Sequence, residues 1–234
     1  VGAGAATMLS VLLGQQHYKA ANKILGNVVS LNIIIGLLFM AVSLIYIDPI
    51  LYFFGASENT LPYAKEYITI ILYGNIITHL YFGLNAAMRS TGSPKKAMGL
   101  TIFTVVINSI LDPIFIFYLD MGIAGAAWAT VISQALALTI VMTHFSNFNR
   151  SVHFKKGIFR LNFKIAKESL SIGAGPFLMN AAACLVTLFI NQQLRDYSGD
   201  IGIGAYGICN RIIFMFIMIC MGLFQGMQPM AGYN

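Results

Sequence analysis

Charge is what this chain has least of. Only 9% of its 234 residues are Asp, Glu, Lys or Arg, against roughly 25% in a soluble domain. So few charged side chains cannot cover a water-facing surface, and a soluble globular protein is excluded. Acids are scarcer than bases, eight against fourteen. No paired carboxylates, activated nucleophile or metal-spaced cluster stands out, which argues against an enzyme. The net charge of +6 could suggest nucleic acid, but the basic residues lie in short loops between apolar runs, as topology signals do. Cysteine is nearly absent. Cys184, Cys209 and Cys220 sit in apolar stretches without metal or redox spacing and read as small buried hydrophobes. His17, His79, His144 and His153 are scattered, so no metal is assigned. There is no leader pattern either, since Val1 begins in mid-run without a basic segment or cleavage site. Gly202 to Gly207 matches the dinucleotide pattern G-x-G-x-x-G, but it enters an apolar run with no βαβ unit around it.

What is present is a series of long apolar runs, 58% of residues being hydrophobic. A spanning helix needs about 20 such residues, and six stretches qualify: 24–47, 63–88, 97–118, 123–144, 169–194 and 204–228. Residues 1–13 form a shorter apolar stub. The expected fold is all-α, a polytopic membrane bundle of six spans and one partial helix. Between the fourth and fifth spans, residues 147–167 carry Arg150, Lys155, Lys156, Arg160, Lys164 and Lys167 with apolar residues interleaved. This segment is expected to lie in the headgroup layer as an amphipathic linker.

Loop charge alternates at every crossing. Loops 14–23, 89–96 and 147–167 are basic, whereas 48–62, 119–122 and 195–203 are acidic or nearly neutral. By the positive-inside rule the basic loops face the cytoplasm. The third span then runs outward and the fourth inward.

The third span holds the most costly residue. A carboxylate at a helix centre in a bilayer costs roughly 2.5 to 3.5 kcal/mol on insertion scales, and Asp112 lies roughly 9 Å inside the outer end at 1.5 Å per residue. Asn108, four residues earlier, shares its helix face. Pro113 has no N–H to offer the Ser109 carbonyl, which favours a kink there. Thr130 lies at similar depth on the next span. The small residues from Gly122 through Gly125 to Ala129 would let the two backbones approach, so that Thr130 could donate to Asp112. A proton or small cation could sit in such a cluster. Helix-to-helix glue, and for Thr130 a bond back to its own helix, are the structural alternatives.

At these two spans the sequence resembles a known family. Asn108-Ser-Ile-Leu-Asp112-Pro-Ile-Phe-Ile-Phe followed by Gly122-Ile-Ala-Gly125-Ala-Ala-Trp-Ala-Thr130-Val-Ile-Ser133-Gln134 resembles helices five and six of the multidrug and toxic compound extrusion (MATE) family. Arg89-Ser-Thr-Gly92 is similar to its Arg-x-x-Gly turn after helix four, and the stretch from Ala205 to Asn234 is similar to its helix eight. The resemblance implies an internal piece, from the end of helix two to helix eight, of a twelve-helix two-lobed transporter. Residues 1–146 would belong to the N-lobe, 147–168 to a cytoplasmic linker and 169–234 to the start of the C-lobe, with the remaining helices of the full-length transporter as partners.

The same resemblance implies antiport of a cation, H⁺ or Na⁺, against a small cationic amphipathic drug, in a bacterial inner membrane and in contact with lipid, with no other cofactor. It maps the coupling site onto Asp112, Asn108 and Thr130, with Tyr67 as a further member. Asn85, Gln225 and Gln228 are candidates for the substrate cavity, and Pro113, Gly122, Gly125, Pro176 and Pro229 for kinks and close packing. Two departures matter. The family's helix-one acid lies outside this chain, and the helix-seven Glu of sodium-coupled members is replaced by the run Ala183-Cys184-Leu185. A lipid-linked oligosaccharide flippase of the related superfamily, or a non-transporting membrane scaffold, are the other readings.

Overall fold

The computed structural model describes residues 1–233 except Gly55, Ser57, Asn59, Arg150 and Lys156; at 191, 195, 196, 199–201, 203, 204, 225, 228, 229, 232 and 233 it describes the backbone alone. The regular elements among the described residues are all helical: α1 (Gly2–Gly14), α2 (Tyr18–Ile45), α3 (Ile47–Phe53), α4 (Leu61–Tyr73), α5 (Asn75–Ser90), α6 (Pro94–Pro113), a π-helical turn (Ile114–Tyr118), α7 (Gly122–Ser146) and α8 (Phe163–Tyr233). Five helical stretches are long and apolar enough to cross a membrane, or six if α4 and α5 count as one bent span. The chain is an all-α integral membrane bundle.

Burial concentrates at one end. Leu9, Ile24, Leu25, Val28, Tyr81, Leu84, Met88, Val141 and Phe145 are almost completely enclosed, and they join α1, α2, α5 and α7 near the basic loops. The faces left over carry Ile, Leu, Phe, Met and Val, as a helix exposed to hydrocarbon requires.

Several boundaries differ from expectation, each for a local reason. The first basic loop shrinks to Gln15–His17, because Lys19 and Lys23 fit the opening turns of α2. The second span is bent by 54° between α4 and α5. At the bend, a Cβ on Gly74 would lie 2.4 Å from Val131 Cγ2, and the amide of Asn75 donates to the Gly36 carbonyl at 3.0 Å. The glycine lets α7 come in, and the Asn75 amide, as donor, ties the bend to α2. The acidic loop contains the short helix α3, whose Asp48 forms an ion pair with Lys65 at 2.8 Å.

The linker makes specific bonds to the bundle. It is pinned along α2, where Asn22 accepts the His153 N–H at 2.9 Å, Asn27 accepts the Asn162 N–H at 2.8 Å and the Ser30 hydroxyl donates to the Phe159 carbonyl at 2.7 Å. Val152 and Ile158 are buried. An irregular backbone must find partners for its polar groups, and the α2 side chains supply them.

The expected loop at 195–203 is helical, yet α8 is not a rod. At 71 residues a rod would extend roughly 107 Å. Instead Ser169 donates to Met8 at 3.2 Å, Gly173 lies beside Val1, and Gly226 and Met230 return to a cavity shared with Leu13 at the other end of α1. The Leu194 carbonyl is 3.7 Å from the Cβ position of Gly202, eight residues on, which a straight helix cannot produce. The chain therefore reverses between these residues and makes two arms, as the alternation of apolar runs requires. The cysteines are the opposite of the expectation. Cys184, Cys209 and Cys220 are exposed, because the α8 arms have few packing partners among the described residues and a thiol is apolar enough to face lipid.

Candidate functional site: a carboxylate at the α6–α7 seam

Asp112 and Asn108 occupy the last two turns of α6 on one face, both half-buried. Pro113 ends the regular helix, and the next five residues widen into the π-helical turn. A proline at this position withholds a backbone donor, and a widened turn is a common response to a broken ladder. The chain then reverses through Asp120 and Gly122, at φ +52° and +55°. Gly122 has open space around its Cβ position, so its role is conformational rather than the close packing expected of it.

Close packing falls on Gly125. A Cβ there would lie 2.7 Å from the Phe115 carbonyl carbon and 2.8 Å from its oxygen. Only a hydrogen fits, and α7 therefore rests directly on the π-helical turn. This contact sets the α7 register that brings Thr130 opposite Asn108. Gly125→Ala is expected to destabilise the protein by about 1 to 3 kcal/mol, the range for overpacking, and to do so more than Gly99→Ala on α6, whose Cβ position meets no neighbour and whose backbone is ordinary helix. Thermal melting in detergent compares the two; equal losses would contradict the packing assignment.

The expected hydroxyl-to-carboxylate bond is not formed. Thr130 donates to the Ala126 carbonyl on its own helix at 3.0 Å. The bridge is Asn108, whose Nδ2 donates to Asp112 Oδ1 at 3.2 Å and to Thr130 Oγ1 at 3.4 Å. A hydroxyl has one proton, and once Thr130 commits it to Ala126, Oγ1 is left as an acceptor. Asn108 satisfies both oxygens. Rotating that amide by half a turn would replace its donors with a carbonyl, giving a carboxylate, an amide oxygen and a hydroxyl around one point. This is a set of hard oxygen donors with a single negative charge, chemically suited to a proton or a small monovalent cation.

The other predicted residues lie elsewhere. Tyr67, half-buried on α4, makes no hydrogen bond to this cluster among the described residues. Asn85 is 5% exposed and donates to the Ala97 carbonyl at 3.1 Å, so it ties α5 to α6 across their turn instead of lining an open cavity. Pro176 lies within the first arm of α8, exposed, where its carbonyl accepts from Asn180 at 2.8 Å. The side chains of Gln225, Gln228 and Pro229 are outside the described residues. Two pairs lie beyond the sequence expectations, Thr78 with Gln134 and Thr104 with Tyr81. Their signal in sequence is the four-residue spacing of Gln134 from Thr130 and of Thr104 from Asn108.

Known proteins resemble this chain in sequence and in fold. The MatE family model matches residues 1–114. Multidrug export protein MepA of Staphylococcus haemolyticus is 32% identical over 233 residues, covering 100% of this chain and 51% of the relative, and MepA of Staphylococcus aureus is 31% identical with the same coverage. The solved structure of the MATE multidrug transporter DinF-BH superposes with a TM-score of 0.90 at 33% identity, over 100% of this chain and 52% of that one. The chain belongs to the MATE family. It spans about half the length of the MATE relatives it matches. The superposition includes the two α8 arms, so their reversal is part of the MATE fold.

Proposed function

We propose that this chain is the ion-coupling part of a secondary multidrug exporter that exchanges H⁺ or Na⁺ for a small cationic amphipathic drug by alternating access. The observation that carries the reading is the Asn108 amide bridging Asp112 on α6 to Thr130 on α7. An ionisable residue within a span is costly and marks an ion pathway more often than a packing contact. A cation arriving at Asp112 competes with the Asn108 donors and favours a different α6–α7 arrangement. Differential affinity for two arrangements is what coupling requires.

Further support comes from the family to which the chain belongs, whose MepA members are named as multidrug exporters. Residues 1–146 are assigned to the N-lobe, the linker at 147–168 and the loops at 14–23 and 89–96 to the cytoplasmic side of a bacterial inner membrane, and 169–234 to the start of the C-lobe. Cells expressing the full-length transporter should export ethidium, and collapse of either the proton gradient by a protonophore or the sodium gradient by Na⁺ removal should stop that export. Export that survives both treatments would rule out ion-coupled antiport.

A further inference from the structure

The Asp112 cluster continues inward. On α6, Asp112, Asn108 and Thr104 follow at four-residue intervals on one face, all half-buried; on α7, Thr130 and Gln134 do the same. One helical turn inward of the Asn108–Thr130 contact, roughly 6 Å by helix rise, the polar groups of three helices meet. Thr78 of α5 bonds through its hydroxyl to the Gln134 Oε1 of α7. Tyr81, one turn further along α5, has its hydroxyl 3.2 Å from Thr104 Oγ1 of α6. Thr104 gives its proton to the Leu100 carbonyl at 2.8 Å, so the phenol is the donor to Thr104. Tyr81 is 2% exposed, while Thr78, Thr104 and Gln134 are half-buried along the seam.

We infer that Thr78, Tyr81, Thr104 and Gln134 form a second, uncharged cation subsite, the inward step by which the coupling cation reaches and leaves Asp112. The inference rests on the reading of Asp112 as the coupling site. Its chemistry follows from the side chains. Three hydroxyls and an amide offer oxygen ligands to Na⁺, and hydroxyls that both donate and accept can hand on a proton. With no carboxylate, the layer holds a monovalent cation weakly and passes it on. The turn between the two layers is about the distance that two hydrogen bonds through a single water would cover. Four polar side chains converging within membrane-spanning helices exceed what gluing the helices needs, because each helix already bonds its own backbone.

The test uses the full-length transporter in proteoliposomes, with ethidium as substrate and an imposed proton or sodium gradient as the sole driving force. Tyr81→Phe and Thr104→Val each remove one hydroxyl at nearly constant shape, and Thr104→Ser restores it. The two deletions should slow gradient-driven efflux at least tenfold while leaving equilibrium ethidium binding within twofold, and Thr104→Ser should recover the wild-type rate. The gradient that drives the wild-type protein identifies the cation. Wild-type rates in both deletions, beside an inactive Asp112→Asn, would overturn the subsite and keep the coupling site. Loss of ethidium binding in parallel with transport would also overturn it, because a packing role predicts that. An Asp112→Asn protein that still couples would refute the underlying reading instead, whatever the layer variants do.

Discussion

Asp112→Asn in the full-length transporter is expected to abolish ion-driven drug efflux, a loss of about a hundredfold or more, with expression and drug binding retained. The variant keeps the shape of the side chain and leaves an oxygen for the Asn108 amide, which lies 3.2 Å from Oδ1. It removes the one negative charge of the cluster. A neutral amide gains nothing from an arriving cation, so both arrangements of the α6–α7 seam bind the cation equally, and a ligand with equal affinity for two states shifts neither. Because an uncharged residue is cheaper at membrane depth, the variant should be at least as stable as the parent. Reduced efflux that merely tracked reduced protein level would mean that Asp112 serves folding. Drug-resistance assays with immunoblotting and ethidium binding separate the outcomes.

The second large effect concerns the linker and is one of stability. A Cβ on Gly26 would lie 2.2 Å from the Ile158 carbonyl oxygen and 2.5 Å from its carbon, so that Gly26→Ala cannot be absorbed by a side-chain rotation. The linker backbone has to move off α2. Overpacking costs about 1 to 3 kcal/mol, and each linker hydrogen bond lost with it adds about 1 kcal/mol. The bonds at risk are those of Asn22, Asn27 and Ser30, together with the burial of Val152 and Ile158. A total of about 3 kcal/mol or more is expected, read as a lower melting temperature in detergent. Trypsin should also cut faster after the basic residues of the 150–160 stretch. Gly99→Ala is the control, since nothing lies within 4 Å of its Cβ position. A Gly26→Ala protein with unchanged melting and unchanged cleavage would show that the linker is not seated on α2.

Much of this is legible in the chain because a bilayer leaves few options. Runs of apolar residues long enough to span must be helices, and a lone carboxylate among them must find polar company. Asn108 and Asp112 sit four apart on one helix, so their contact follows from helical geometry alone. The family likeness supplies the partner helix. The seating of the linker is not legible, because alternating basic and apolar residues suit a headgroup-bound helix and a strap over α2 equally well. Asn22 and Asn27 carry no periodic signature that tells the two apart. The exposure of the cysteines is hidden for a related reason: apolar surroundings in sequence do not distinguish a protein core from lipid.

The amino-acid order alone determined the membrane class, the succession of apolar helices and which carboxylate lies within one of them beside an amide, since each depends on local composition or spacing along one helix. Tertiary structure decided who holds that carboxylate and what surrounds it. Whether Thr130 donates to Asp112 or to its own helix depends on how closely α7 approaches the π-helical turn at Gly125, and the clustering of Thr78, Tyr81, Thr104 and Gln134 depends on the relative register of three helices. Such registers are fixed by side-chain packing between segments far apart in the chain, and no local pattern encodes them.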